Sequence, residues 1–181
     1  MMLTGPNGSG KTTLLRAIAG FGEITSGELT LEPVPDDDEI SQACLYIGHY
    51  NAIKPQLSVL ENITFWAGFV GGDVDAALAS FSMEPIKDVS VSMLSAGQRR
   101  RVALCRLALE KRPIWLLDEP ATSLDRASVK TLSHIMQQHL DGGGLLIAAS
   151  HTEFDIALGK NLELGGRETS PSGALSGEMG A

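Results

Sequence analysis

The apolar residues of this chain fall into short runs separated by clusters of glycine, proline and acids. Residues 1–4 form one such run and predict a strand. A loop follows over 5–10. Leu14, Leu15, Ile18 and Ala19 then recur at helical spacing and predict a helix over 11–19. Residues 20–27 are rich in turn formers, and 28–31 read as a strand. Two prolines and four acids between 33 and 39 predict an exposed connection. Residues 43–48 predict a further strand and 49–56 a loop. Ser58, with Glu61 three residues on, has the form of a capping box. It predicts a helix through Ala67, broken by the glycines within 68–72.

A short helix is predicted over 73–81, irregular chain over 82–93, and a helix over 98–110. In that last helix Val102, Leu104, Leu107 and Leu109 supply apolar surface, while Arg99, Arg106 and Glu110 share a polar side. Residues 114–117 are a continuous apolar run before two acids, the pattern of a buried parallel strand. A helix over 126–140 is stopped by Gly142, Gly143 and Gly144. Residues 145–149 predict another buried strand and 162–164 a last one. Beyond Gly165 little remains to bury, so 166–181 read as a disordered tail. Strands alternating with helices predict an α/β domain over 1–165, its sheet mainly parallel and flanked by helices. The mostly helical stretch 58–110 forms a subdomain within it.

Composition narrows the class. The chain has 181 residues, enough for one domain with a real core; 43% are hydrophobic and 20% charged, which is globular composition. The formal net charge of −8 opposes the phosphate attraction that drives nucleic-acid binding, so no nucleic-acid partner is expected. Cys44 and Cys105 lie far apart and read as two buried, reduced thiols. No apolar stretch is long enough to span a bilayer, and no signal-peptide pattern precedes the first loop. A cytoplasmic protein is therefore expected, reaching a membrane only through a partner.

Three motifs bear chemistry. Gly5, Pro6, Asn7, Gly8, Ser9, Gly10, Lys11 and Thr12, followed by Thr13, fit the phosphate-binding loop between a strand and a helix. Its glycines let successive N–H groups curl around phosphates, and the helix N-terminus adds partial positive charge. Lys11 is expected to reach the β- and γ-phosphates of ATP, and the Thr12 hydroxyl to ligate Mg²⁺. A chance Gly-rich turn is the bland alternative. The second motif is the apolar run ending in Asp118 and Glu119. A parallel strand delivers such acids to the sheet edge where ligands bind. Asp118 is expected to hold Mg²⁺ with Thr12, and Glu119 to position or deprotonate the attacking water. Solvated acids at a strand end are the alternative. The third is Leu94, Ser95, Ala96, Gly97 and Gln98, opening a helix, where a serine hydroxyl and free N–H groups form a second anion site. Arg99, Arg100 and Arg101 beyond it are expected to face solvent or pair with acids.

In this order and spacing the motifs resemble those of ABC ATPases, with Leu94–Gln98 as the signature and Ala96 a mild departure from its usual glycine. The resemblance implies a P-loop nucleoside triphosphate hydrolase with a helical signature subdomain. Two copies would pair head to tail, the signature of one closing on ATP held by the other. It also implies a D-loop at Ser123, Leu124 and Asp125, and a γ-phosphate-sensing, catalytic histidine at His151. His134 and His139 read as structural. Tyr46, Ile47, Gly48 and His49, with Ile53, Lys54 and Pro55, resemble the heme-exporter ATP-binding subunits of bacterial cytochrome c maturation. In those subunits His49 stands at the position of the usual Q-loop glutamine. Trp115 and the stretch from Val102 to Leu107 add to this likeness. It implies an integral membrane permease as partner, a second ATPase subunit, and a peripheral place on the cytoplasmic side of the inner membrane. The N-terminal strands and adenine-stacking aromatic usual before the phosphate loop are missing from the sequence. A mis-assigned start, a fragment and a true loss all fit. Two other functions fit the motifs: the ATPase subunit of another ABC transporter, and a truncated, poorly active regulatory subunit.

Overall fold

The computed structural model describes residues 1–30, 40–157 and 159–165. The predicted connection over 33–39 and the tail over 166–181 lie outside them. The elements are β1 (Met2–Thr4), α1 (Lys11–Ile18), α2 (Ile40–Ala43), β2 (Cys44–Ile47), α3 (Val59–Val70), α4 (Val74–Ser80), α5 (Ala96–Leu104), α6 (Arg106–Leu109), β3 (Ile114–Asp118), α7 (Arg126–Asp141), β4 (Leu145–Ala149) and β5 (Asn161–Glu163).

The sheet runs β2-β3-β4-β1-β5, and each pairing is parallel. Side chains alternate across it. On β3, Ile114 and Leu116 join Leu3, Leu15, Ala19 and Ala149 beneath α1. Trp115 and Leu117 face the other way, into a cluster with Leu45, Ile47, Val59, Ile63, Leu104, Leu132 and Met136. Helices therefore cover both faces, which is why β3 is buried along its whole length. Each leucine fully withdrawn from water contributes about 1.5–3 kcal/mol. The helices α3–α6 share the second cluster with the sheet, so the helical lobe has no separate core.

The predicted capping box is present: Glu61 N donates to Ser58 Oγ (3.1 Å) and Ser58 N to Glu61 Oε2 (2.7 Å). Its helix α3 does not stop at Gly68 but continues to Val70, with Gly71 as cap. A single glycine costs a helix only about 1 kcal/mol, less than the packed faces of Trp66, Ala67 and Val70 return. The helix predicted over 98–110 starts earlier, at Ala96, and divides at Cys105. There Ala108 N turns to Cys105 O, three residues back, tightening the ladder. Its expected polar side is folded inward. Arg106 bonds Glu110 at 2.8 Å, and its guanidinium lies 3.8 Å from the Trp66 ring centre.

Residues 28–30 are not a strand; they lack a neighbouring strand to pair with among the described residues, and Leu31 lies outside those. The irregular stretch 82–93 contains 3-10 turns at Glu84–Ile86 and Val91–Met93. The last strand sits one residue earlier than predicted. Cys105 is buried, its thiol pushed up to about 12 by loss of water, but Cys44 is only half-buried. His139 stacks on Trp115 with ring centres 3.9 Å apart and planes at 4°, as a structural histidine should, whereas His134 is exposed.

Candidate functional site

The carboxyl ends of the parallel strands share one edge, and the chemistry-bearing residues gather there. Thr4 leads from β1 into the phosphate loop. At Gly5 φ is +137°, and a Cβ would lie 2.3 Å from Leu164 O, so only glycine lets the loop pass under β5. Leu164 N donates to Thr4 O at 2.9 Å and completes that brace. The loop then opens α1 at Gly10, whose missing side chain leaves the first N–H groups of the helix without a side-chain cap.

Asn7, Gly8, Gly10, Lys11, Thr12, Thr13, Asp118 and Glu119 line a cleft of about 240 Å³. Lys11 Nζ is folded onto the loop itself, donating to Gly5 O (2.7 Å) and Pro6 O (3.0 Å). Thr12 Oγ1 donates to Asp118 Oδ2 at 2.8 Å, and Tyr46 Oη reaches the same oxygen at 3.5 Å. Burial, and then the Asp118 carboxylate, raise the Tyr46 phenol above its ordinary value, keeping it a donor. Ser9 Oγ is buried without a hydrogen-bond partner among the described residues. A wider cleft of about 880 Å³ adjoins the loop, lined by Gly8, Ser9, Thr13, Leu14, Ile24 and Leu29 among others, with no aromatic ring among the described residues of its wall.

Glu119 follows β3 with φ +48°, a left-handed conformation that costs a non-glycine residue about 1–3 kcal/mol. Glu119 N donates to Ala149 O at 2.8 Å. His151, just past β4, places Nε2 3.7 Å from Glu119 Oε1 and 3.4 Å from Asn7 Oδ1. His49 is exposed, meeting Tyr50 edge to face at 5.8 Å, and does not line the cleft.

The signature residues are elsewhere. Ser95 caps α5 reciprocally with Gln98: Gln98 N donates to Ser95 Oγ (3.2 Å) and Ser95 N to Gln98 Oε1 (2.8 Å). Leu94 is buried, and Ser95 and Ala96 are exposed. Gly97 packs on the D-loop, where a Cβ would meet Ser123 O at 2.6 Å. Leu124 is half-buried against the core, and Asp125 caps α7 by accepting from Ser128 N at 2.7 Å. None of Leu94–Gln98 lines the cleft around Lys11.

Sequence reasoning missed Arg100. Instead of facing solvent or pairing with an acid, it is 3% exposed and bonds four main-chain carbonyls and Asn51 Oδ1. Its position was a signal. Residues 100, 103, 104 and 107 form one helical stripe, and the other three are apolar and buried. Tyr46 was visible as a member of β2 and of the heme-exporter likeness, but not as a neighbour of Asp118.

A family model described as ABC transporter matches residues 1–122. The "Cytochrome c biogenesis ATP-binding export protein CcmA" of Nitrobacter winogradskyi is 43% identical over 167 residues, covering 91% of this chain and 83% of its own. The protein of that name from Mesorhizobium japonicum is 46% identical over 169 residues, covering 91% and 84%. Among solved structures, a putative ABC transporter ATP-binding protein from Pyrococcus furiosus superposes with a TM-score of 0.74 at 27% identity, covering 90% of this chain and 82% of its own. An ATP-binding cassette solved as a post-hydrolysis dimer with ADP and Pi gives 0.69 at 25% identity, covering 83% and 74%. The phosphate loop, the acidic end of β3 and the capped signature helix thus sit in the fold these relatives share, and the chain belongs to the ABC transporter family of ATP-binding, ATP-hydrolysing subunits, alongside the cytochrome c biogenesis export proteins.

Proposed function

We propose that this chain drives a heme exporter serving cytochrome c assembly, as a peripheral subunit held at the inner face of the membrane by an integral permease. The 43–46% identity to export proteins of cytochrome c biogenesis supports the process. Among the described residues no helix is long and apolar enough to cross a membrane.

One observation carries the mechanism. Lys11, Thr12, Asp118 and Glu119 line one cleft, His151 stands 3.7 Å from Glu119 at its side, and the signature serine stands exposed outside it. A complete ATP site then needs a second copy, whose Ser95 and Gly97 approach the γ-phosphate from the far side. Lys11 leaves the carbonyls of Gly5 and Pro6 for the β- and γ-phosphates, and the uncapped N–H groups of α1 receive the phosphate oxygens. Glu119 accepts the proton of the attacking water. His151 orients against Glu119 and Asn7 and senses the γ-phosphate. His49, at the mouth of the loop after β2, faces the partner.

The donor set fits Mg²⁺: a hydroxyl and a carboxylate, Thr12 and Asp118, already within 2.8 Å. Among the described residues no group of three or more His, Cys, Asp or Glu could hold a metal alone, so the phosphates would complete the shell. Bound there, the ion would neutralise charge on the β- and γ-phosphates.

The test is removal of the chain from its native host. Loss of heme-loaded c-type cytochromes, restored by the wild-type chain but not by a Lys11→Ala chain, is expected. Normal c-type cytochromes in the deletion strain would overturn the cargo, and full rescue by Lys11→Ala would overturn the ATP-driven mechanism.

A further inference from the structure

We propose that Arg100 is a positioning residue for hydrolysis, a buried fork that fixes the main chain of Glu119 and ties it to the signature helix and to the loop bearing His49. The proposal rests on the reading of Glu119 as the base.

Arg100 springs from α5, five residues after the signature serine. Its Nε donates to Pro120 O (3.1 Å), and its Nη2 to Asp118 O (3.2 Å) and Glu119 O (3.0 Å). Its Nη1 donates to Gly48 O (2.9 Å) and Asn51 Oδ1 (3.0 Å). All five acceptors are neutral. A buried cation held by neutral groups keeps a desolvation cost that a direct ion pair would offset, and burial lowers its pKa accordingly. An apolar residue would fill the stripe beside Ala103, Leu104 and Leu107 but leave these acceptors without the donor they now have, and filling the stripe alone gives no reason for the charge.

Geometry does. Three successive carbonyls, at 118, 119 and 120, converge on one rigid guanidinium. That convergence needs the chain to curl, and Glu119 is the residue that curls, with φ at +48°. Its N–H is held by Ala149 O and its carbonyl by Arg100 and by Thr122 N (3.2 Å). Both ends of the residue are therefore fixed, and with them the direction in which its carboxylate leaves the sheet edge. The same guanidinium holds Gly48 O, next to His49, and rides on the helix whose first turn is the signature. Displacement of α5 or of the His49 loop acts directly on the Glu119 backbone. Lysine has the charge but not the planar fork, and cannot reproduce five donor directions.

The test measures kcat, KM and equilibrium Mg²⁺-ATP affinity for the full chain and for its Arg100→Lys, Arg100→Gln, Glu119→Gln and combined Arg100→Lys/Glu119→Gln forms. Arg100→Lys keeps the buried charge and guards against misfolding in Arg100→Gln. Arg100→Lys is expected to lower kcat about 10–100-fold, the scale of a small misplacement of a reacting group, with KM and affinity changed less than about threefold. On the Glu119→Gln background it should lower the residual rate no further. Multiplicative losses in the double variant would overturn the proposal, because Arg100 would then act independently of Glu119. So would parallel loss of ATP affinity, or wild-type kcat in Arg100→Lys. Wild-type turnover in Glu119→Gln would instead remove the base assignment, and the proposal with it. A collapsed Glu119→Gln beside a fully active Arg100→Lys would remove the proposal alone.

Discussion

Thr12 Oγ1 donates a 2.8 Å hydrogen bond to Asp118 Oδ2, joining two residues 106 positions apart in the chain. This bond holds the start of α1 to the end of β3, and its two oxygens are those proposed for Mg²⁺. Thr12→Val keeps the shape and removes the hydroxyl. ATP affinity in the absence of Mg²⁺ should be nearly unchanged, while the gain in affinity on adding Mg²⁺ falls about tenfold or more, the scale of one lost charge-assisted contact. Calorimetry with and without the ion decides; an undiminished Mg²⁺ effect rules Thr12 out as a ligand.

Lys11 is the cation proposed to hold the β- and γ-phosphates. Lys11→Ala removes charge-assisted bonds each worth about 1.5–3 kcal/mol, so ATP affinity should drop at least tenfold to a hundredfold. Because the Lys11 ammonium bonds its own loop alone among the described residues, the melting temperature without nucleotide should hardly move. Equal ATP affinity in variant and wild type by calorimetry would sink the assignment.

Glu119→Gln keeps the size of the side chain and abolishes proton acceptance. Turnover should fall by about 10²–10⁴ while ATP still binds. The variant should then accumulate as an ATP-bound pair, visible by size-exclusion chromatography with Mg²⁺ and ATP. An inactive variant that stays single under those conditions, with or without its membrane partner, would count against the shared site.

How much of this was readable beforehand follows from the range of each interaction. The capping box at Ser58 and the buried run of β3 are local patterns, and both formed as the spacing implied. The phosphate loop and the acids at 118–119 were legible because strand direction alone sends them to one edge. The inward turn of Arg106 was not, since it depends on Trp66 on another helix and on Glu110 at its side. Arg100 was hidden for the same reason. Its five acceptors come from two distant segments, 48–51 and 118–120, and an arginine between two others reads as surface charge. The strand expected at 28–31 did not form over its described part, 28–30, because β-like composition makes no strand without a neighbour, and none pairs with it among the described residues.

Gly97 lies against Ser123 O with room for a hydrogen and nothing more. Gly97→Ala must push the D-loop away or lift the signature turn. ATP binding to the single chain should survive, since Gly97 does not line its cleft. ATP-induced pairing and turnover should drop by tenfold or more, the order of effect of an ångström-scale displacement. Ala96→Gly, at an exposed neighbour, should leave both close to wild type. Sedimentation velocity with ATP, beside a turnover assay, separates the two.

His139 gives a pH dependence with a definite sign. Burial holds its pKa below the ordinary value of about 6.5, against weaker raising by the carbonyls of Leu145 and Pro113. Above that ordinary value both folded and unfolded chains carry it neutral, and it has no pH-dependent effect. As pH falls through about 6.5 the unfolded chain takes up the proton first, so stability declines until the folded value is passed. His139→Phe retains the stack on Trp115 and cannot ionise. Urea unfolding between pH 7.5 and 5 should show wild type losing stability relative to the variant. A constant difference across that range would show that His139 does not titrate on unfolding.

The brace beneath Gly5 also has a consequence in time. Among the described residues, strand β1, which launches the phosphate loop, pairs with Ala148–Ala149 and with residues 161–163, about 150 positions downstream. On a ribosome moving at roughly 5–20 residues per second, the strand waits on the order of ten seconds for these neighbours. Until then this apolar strand stays unpaired. Contacts of such long sequence separation slow folding as well. The site that defines the molecule is therefore among the last parts of it to exist, and ATP cannot serve as an early template for the fold.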